Sequence, residues 1–307
     1  MKSVFIIGVT GFIGRYVARC FSQKGWKVAG LGTRPPENAP QQDLSGYYQL
    51  ILPSTDLNGL VKLIQPQVCI HCAGRASVAN SLNDPLTDFE AQVEITFNVL
   101  NAMRLEGPRC RVIFLSSAAV YGNPESLPIR EDHTLRPISP YGFHKLIGEK
   151  LCAEFSEIYG VPTALVRVFS AYGAGLRRQV IFDMCYKALT EPVLRLHGTG
   201  AESRDFINVR DVAQGIYLLA ERAPCEAEAY NLASGKETTI KELAELAVAL
   251  SGRNIAIDFD RQNPKGNPLN WQAEIGRIAQ LGFVPAIALE KGVKAFADWC
   301  RIEVLGS

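Results

Sequence analysis

The 307-residue sequence has no surplus of charge of either sign: Lys and Arg total 32, Asp and Glu 31, for a formal net charge of +1. It therefore lacks the electrostatic excess that drives non-specific binding to nucleic acid or anionic lipid, and neither is expected as a partner. It has no apolar run near the roughly 18 residues of a membrane-spanning helix. The opening MKSVFIIGVTGFIG is a short apolar stretch broken by glycines, which does not read as a secretory signal. Eight cysteines, scattered from Cys20 to Cys300, form no small-domain disulfide framework, and Cys69-Ile-His-Cys72 has no second Cys/His pair at zinc-site spacing. The expectation is a reduced, cytoplasmic protein without a metal site. Repeats and low-complexity tracts are also lacking. What remains, 47% hydrophobic and 21% charged residues, suits a chain folded throughout with a core of about two domains' size.

In the first half, short β-branched runs alternate with helical stretches. Strands are expected at Val4–Gly8, Lys27–Leu31, Val68–Ala73, Arg111–Ser116 and Thr163–Phe169, with helices at Phe12–Lys24, Leu57–Ile64, Leu86–Arg104 and Tyr141–Tyr159. This order implies a parallel sheet covered on both faces, with ligands at the carboxyl ends of its strands. After Phe169 the rhythm loosens into a helix near Val180–Thr190, a strand at Val193–His197, a helix at Ile240–Ser251 announced by Thr238-Thr239, and a last helix ending near Trp299. A second domain is expected there.

Three segments carry chemistry. Gly8-Val-Thr10-Gly11-Phe12-Ile13-Gly14 lies between the first strand and the first helix, where glycines allow a tight turn and backbone amides can approach a pyrophosphate at the helix N-terminus. The second strand ends Gly32-Thr33-Arg34, with glycine where a carboxylate would grip the ribose hydroxyls of NAD. Thr33 and Arg34 can donate to a 2′-phosphate instead, which favours NADP as cofactor, with NAD as the alternative. Ser139-Pro140-Tyr141-Gly-Phe-His-Lys145 marks a helix start and sets Tyr141 and Lys145 one turn apart on one face. There a neighbouring ammonium and a cationic nicotinamide would favour the tyrosine phenolate. His133, His144 and His197 are isolated and carry no expected role.

The residues Gly8–Gly14, His71-Cys-Ala73-Gly74, Asn83-Asp-Pro85, Ser116–Gly122, Tyr141–Lys145, Arg167–Gly173, Gly198–Asp205 and Asn231–Gly235 together resemble the extended short-chain dehydrogenases/reductases that act on nucleotide sugars, often called NAD-dependent epimerase/dehydratases. The resemblance covers nearly the whole chain. It implies an α/β fold: a doubly wound parallel sheet of Rossmann type over residues 1–169, with 207–235 returning to it, and a smaller C-terminal α/β substrate domain from 170–206 and 236–307. By position, Ser117 would hydrogen-bond the reacting sugar oxygen, Tyr141 would move its proton, and Lys145 would hold the nicotinamide ribose. Ala73, Gly74 and Ser116 would lie near the cofactor. Ser77, Ser170, Arg177, Arg178, Gln179 and Arg204 would contact the nucleotide sugar, with Lys265 and Asn267 replacing the usual Arg and Asp of a late substrate loop. A homodimer built on Leu86–Arg104 and Tyr141–Tyr159 is implied as well. A place in polysaccharide biosynthesis follows by analogy alone.

Departures from the family pattern narrow the chemistry. Ala118 and Ala119 follow Ser117, where dehydratases of the family carry an acid pair and 3,5-epimerising reductases a cysteine. Hydride transfer at one sugar carbon remains. Gly32-Thr33-Arg34 favours the NADP(H)-dependent reduction of an NDP-4-keto-6-deoxy sugar. The alternative is an NDP-sugar 4-epimerase with retained NAD, and a third reading is a non-catalytic dinucleotide-binding protein. Gln92 and Ser170 each stand where the family often has Asn, and Pro53 where an Asp often contacts adenine.

Overall fold

Buried on both faces, the apolar runs Val4-Phe-Ile-Ile, Val68-Cys-Ile and Val112-Ile-Phe-Leu build the centre of a parallel sheet. The computed structural model describes residues 1–306. In chain order its elements are β1 (Ser3–Ile7), α1 (Phe12–Gln23), β2 (Lys27–Gly32), β3 (Gly46–Gln49), α2 (Asp56–Ile64), β4 (Val68–His71), α3 (Val78–Asn83), α4 (Pro85–Phe89), α5 (Ile95–Glu106), β5 (Arg111–Ser117), α6 (Pro140–Tyr159), β6 (Thr163–Val168) and β7 (Ser170–Tyr172). They continue as α7 (Gln179–Thr190), β8 (Val193–Leu196), β9 (Ser203–Asn208), α8 (Val209–Arg222), β10 (Glu226–Leu232), β11 (Glu237–Thr239), α9 (Ile240–Ser251), β12 (Ala256–Phe259), α10 (Gly276–Ala279) and α11 (Leu289–Leu305).

Seven strands in the order β10-β6-β5-β4-β1-β2-β3, all parallel, form the main sheet. Alternate residues face opposite cores, as strand geometry requires. Val4 and Ile6 meet α1 and α8 on one side, while Phe5 and Ile7 meet α2, α5 and α6 on the other. The order reverses between β1 and β4, so a crevice opens at their carboxyl ends. A second lobe holds the three-stranded sheet β11-β9-β7, the pair β12-β8, and a core of Tyr172, Met184, Leu194, Phe206, Leu243 and Phe296.

The helix starts follow local chemistry. Ser139 caps α6, its Oγ accepting from the Gly142 N–H at 3.2 Å, with Pro140 in the first turn and Gly160 closing the helix at φ 67°. Thr239 and Glu242 form a capping box at α9.

Three of the differences from the sequence reading bear on the site and the lobes. The single helix expected at Leu86–Arg104 is α4 and α5 joined through a π-helical turn at Glu90–Glu94, which places Gln92 so that its amide nitrogen reaches the Arg75 carbonyl. The edge strand β3 was not expected; its four residues are too short for a periodicity to register. Residues 275–283, assigned by sequence to the second lobe, pack into the first through Ile278 and Phe283.

Candidate functional site

The crevice is a cavity of ≈ 810 Å³ walled by both lobes. From the first lobe it receives Gly11, Phe12, Ile13 and Gly14, then Ala73, Gly74, Ser77, Ser116, Ser117, Tyr141 and Lys145. From the second it receives Ser170, Arg177, Arg178, Gln179, Arg204 and Asn267. Most of the residues singled out by sequence thus share one space, although Ser117 and Arg204 are 87 positions apart in the chain.

The glycine turn fits a dinucleotide on its own geometry. Gly8 holds φ 88°, and a Cβ there would lie 2.7 Å from the Ala73 amide nitrogen; one on Gly14 would lie 2.3 Å from the Gly8 carbonyl oxygen. The Gly8 and Val9 amides bond the Leu31 carbonyl, and Gly11 offers no side-chain cap, so the first amides of α1 are left for a ligand facing the cavity. Thr10 is buried under this turn.

The carboxyl end of β2 is more crowded than the sequence suggests. Thr33 and Arg34 are exposed. The space beside Gly32 is filled: a Cβ would lie 2.8 Å from Thr10 Oγ1 and 2.9 Å from the Tyr47 hydroxyl, which itself donates to the Arg34 carbonyl. Tyr47 lies on β3, and sequence reasoning passed over it because it belongs to no motif.

Ser117 stands at the end of β5, where its Oγ accepts the Ala119 N–H at 3.2 Å, and Tyr141 and Lys145 face it from the first turns of α6. Burial pushes the Tyr141 phenol above its usual pKa, the Ser117 hydroxyl pulls it back, the Asp88 carboxylate pushes it up and the Arg178 guanidinium down. Lys145 Nζ donates to the Leu115 carbonyl at 2.8 Å and lies 5.0 Å from the centre of the Phe114 ring. Burial lowers its pKa to about 8.

Ser116 faces the cavity, but its hydroxyl is committed to Glu149 Oε1 at 2.5 Å. Glu149 in turn takes both arms of the buried Arg167, at 2.9 and 2.8 Å. Arg177 is held by Glu303, whereas Arg178 has no hydrogen-bond or ion-pair partner among the described residues. Arg204 does not pair with Asp205 or Asp211. Its Nη1 donates to the Ser203 and Leu269 carbonyls, and its guanidinium lies 5.5 Å from the Trp271 ring, with burial lowering its pKa to about 10. Asp205 instead accepts from Ser234, Gly235 and Ala273. Lys265 is exposed and off the cavity, leaving Asn267 alone of that pair on its wall.

Sequence reasoning missed Trp271, Arg75 and two of the histidines that it set aside. His144 Nδ1 lies 2.7 Å from Asp88 Oδ2, and His197 Nδ1 lies 2.6 Å from Asp260 Oδ2. Each pair joins residues more than fifty positions apart, so no local pattern announces it. Cys69 is buried in β4 and Cys72 lies on the cavity wall, each with its thiol pKa raised by burial. Among the described residues no helix is long and apolar enough to cross a membrane.

The model of the NAD dependent epimerase/dehydratase family matches residues 4–233. A putative UDP-glucose 4-epimerase of Methanocaldococcus jannaschii is 28% identical over 97% of this chain and 98% of its own, and a UDP-glucuronate 4-epimerase of Thermodesulfobacterium geofontis 27% identical over 100% and 99%. Among solved structures, the UDP-glucose 4-epimerase of Thermus thermophilus in complex with NAD superposes with a TM-score of 0.88 at 24% identity, covering 98% of this chain and 99% of that one. At that identity the likeness speaks to the fold.

Proposed function

The chain belongs to the NAD dependent epimerase/dehydratase family, and on that premise we propose that it interconverts the C4 epimers of a UDP-linked sugar, using NAD that it retains through the cycle. It is an NAD(P)-dependent enzyme of the extended short-chain dehydrogenase/reductase class. The observation that carries the reading is the convergence of Ser117, Tyr141 and Lys145 on the cavity into which the glycine turn also opens. Ala119, two residues after Ser117, lies on that wall and has no proton to move, so the site is equipped for hydride and proton transfer at one carbon.

NAD is favoured over NADP by the similar solved structure that holds NAD, and Thr10 and Tyr47 leave little space beside Gly32. The curated relatives that are 4-epimerases support this reading over the NADPH-dependent 4-keto reductase expected from the sequence. When bound, the dinucleotide supplies a nicotinamide that takes a hydride and gives it back. Ser117 would hold the reacting sugar oxygen and Tyr141 would take and return its proton, while Lys145 would anchor the nicotinamide ribose. Arg204 and Arg178 would meet the diphosphate. For hydride to return to the opposite face the keto sugar must turn over between lobes, and the small side chains of Ser77, Ala119, Ser170 and Ala171 line that space.

A homodimer is proposed on the outer face of α5 and α6. Phe97 and Leu105 on one helix, and Phe143, Ile147 and Ile158 on the other, form exposed apolar stripes at helical spacing, beside a groove lined by Pro53, Val93 and Leu151.

The experiment is to release and identify nucleotide from the denatured protein, then to assay UDP-glucose, UDP-glucuronate and UDP-N-acetylglucosamine with no added reductant. Retained NAD and conversion to the C4 epimer, abolished in Tyr141→Phe, are expected. Stoichiometric NADPH oxidation with an NDP-4-keto-6-deoxy sugar, and no epimerisation, would overturn the proposal.

A further inference from the structure

We propose that Ser81 is a positioning residue for Tyr141: its hydroxyl, on α3, holds the backbone of the turn of α6 that carries the phenol. This rests on reading Tyr141 as the proton carrier. The first turn of a helix leaves its amides without partners inside the helix, and in α6 each is accounted for. Pro140 has no N–H, the Gly142 N–H donates to Ser139 Oγ at 3.2 Å, and the Phe143 N–H donates to the Ser139 carbonyl at 3.0 Å. The Tyr141 N–H, which the cap does not take, donates to Ser81 Oγ at 3.1 Å. Ser81 is fully buried, and its own hydroxyl proton goes to the Val78 carbonyl at 2.7 Å, so the oxygen turned towards Tyr141 is an acceptor.

This bond joins two walls of the cavity, since Ser77, Val78 and Ala79 at the start of α3 line it, as Tyr141 does. On its other side the same turn is fixed by contact: a Cβ on Gly142 would lie 2.6 Å from the carbonyl oxygen of Ala119, just past Ser117. The second lobe closes on the same junction. Gly266, between the cavity-lining Pro264 and Asn267, holds φ 83°, and a Cβ there would lie 3.0 Å from Val78 Cγ1 and 3.3 Å from Ser139 Cβ. Packing limits how near α3 and α6 can come, whereas a hydrogen bond also has a direction and so fixes how the turn sits against α3. The aim of the phenol follows from where that turn sits. A reacting group misplaced by about 1 Å can cost on the order of 100-fold in rate.

Amide hydrogen exchange tests the bond without any sugar. In Ser81→Ala the Tyr141 N–H loses its acceptor and is expected to exchange about tenfold faster or more, while Cys152 and Phe155 further along α6 keep their rates. In the UDP-sugar assay the same variant is expected to retain NAD, to keep KM within about twofold, and to lose about tenfold or more in kcat. Ser81→Cys, close in size but a weak acceptor, is expected to match Ser81→Ala and stands in for it should that variant fold poorly. Thr163→Val removes the bond from Thr163 Oγ1 to the Cys152 carbonyl at 3.2 Å, about three turns along α6, and as the control for lost stability it is expected to keep kcat. Wild-type exchange at Tyr141, a kcat in Ser81→Ala no lower than in Thr163→Val, or wild-type kcat in Ser81→Cys would each overturn the proposal. A wild type that converts no UDP-sugar would overturn the epimerase reading instead, and the exchange rates would still decide whether Ser81 holds Tyr141.

Discussion

Lys145 and His71 show what burial does to single ionisable groups around the cavity. Lys145, lowered to about pKa 8, carries its proton below that pH and loses it above. An anionic dinucleotide favours the charged form, so binding should raise this pKa, and affinity for NAD is expected to fall severalfold as pH rises from 8 to 10. Lys145→Met should bind weakly with a flat profile; a wild-type affinity independent of pH in a calorimetric or fluorescence titration would contradict this. His71 is 1% exposed, with Nε2 bonded to Thr96 Oγ1 at 3.0 Å, and burial together with the Lys145 charge lowers its pKa from 6.5 to about 3. Above 6.5 both folded and unfolded states are neutral. Below it the unfolded chain takes a proton that the folded one refuses, so stability falls, by about 1.6 kcal/mol between pH 6.5 and pH 5. Urea unfolding of His71→Asn at these two pH values should show a smaller loss than the wild type.

Among elements, the buried Arg167 network fixes the register of the strands beneath the site. Arg167 of β6 joins Glu149 of α6, and its Nη1 donates to the Tyr121 hydroxyl and the Glu131 carbonyl, each at 2.8 Å. Tyr121 donates onward to Asn231 Oδ1 of β10 at 2.7 Å. Cutting one member leaves a charge buried without its partner, so Arg167→Met is expected to cost about 3–5 kcal/mol in equilibrium unfolding. Adding Glu149→Leu should recover much of the loss, since the orphaned charge then disappears; an equally unstable double variant would place the cost in packing. The same network explains why Ser116, expected at the cofactor, spends its hydroxyl inward on Glu149. Element positions were largely legible, because continuous apolar runs and caps such as Ser139 and Thr239 are local signals. The π-helical turn at Glu90–Glu94 was not, since it follows from how Gln92 packs beneath Gly74 and Arg75.

At the scale of the whole molecule, the apolar stripes of α5 and α6 predict association. Light scattering at micromolar concentration is expected to give twice the mass of one chain, and Phe97→Asp with Ile147→Asp to give a folded monomer. A monomeric wild type would remove the homodimer. The sequence by itself determined the parallel α/β fold, the glycine turn and the pairing of Tyr141 with Lys145 on one helix, because each depends on residues close in the chain or on the order of adjacent strands. Only the tertiary structure decided which polar groups face one another across the chain. It left Thr33, Arg34 and Lys265 exposed, filled the space beside Gly32 with the Tyr47 hydroxyl, and matched His144 with Asp88. Those outcomes depend on packing between elements distant in sequence, where neither spacing nor composition carries the distance between two side chains.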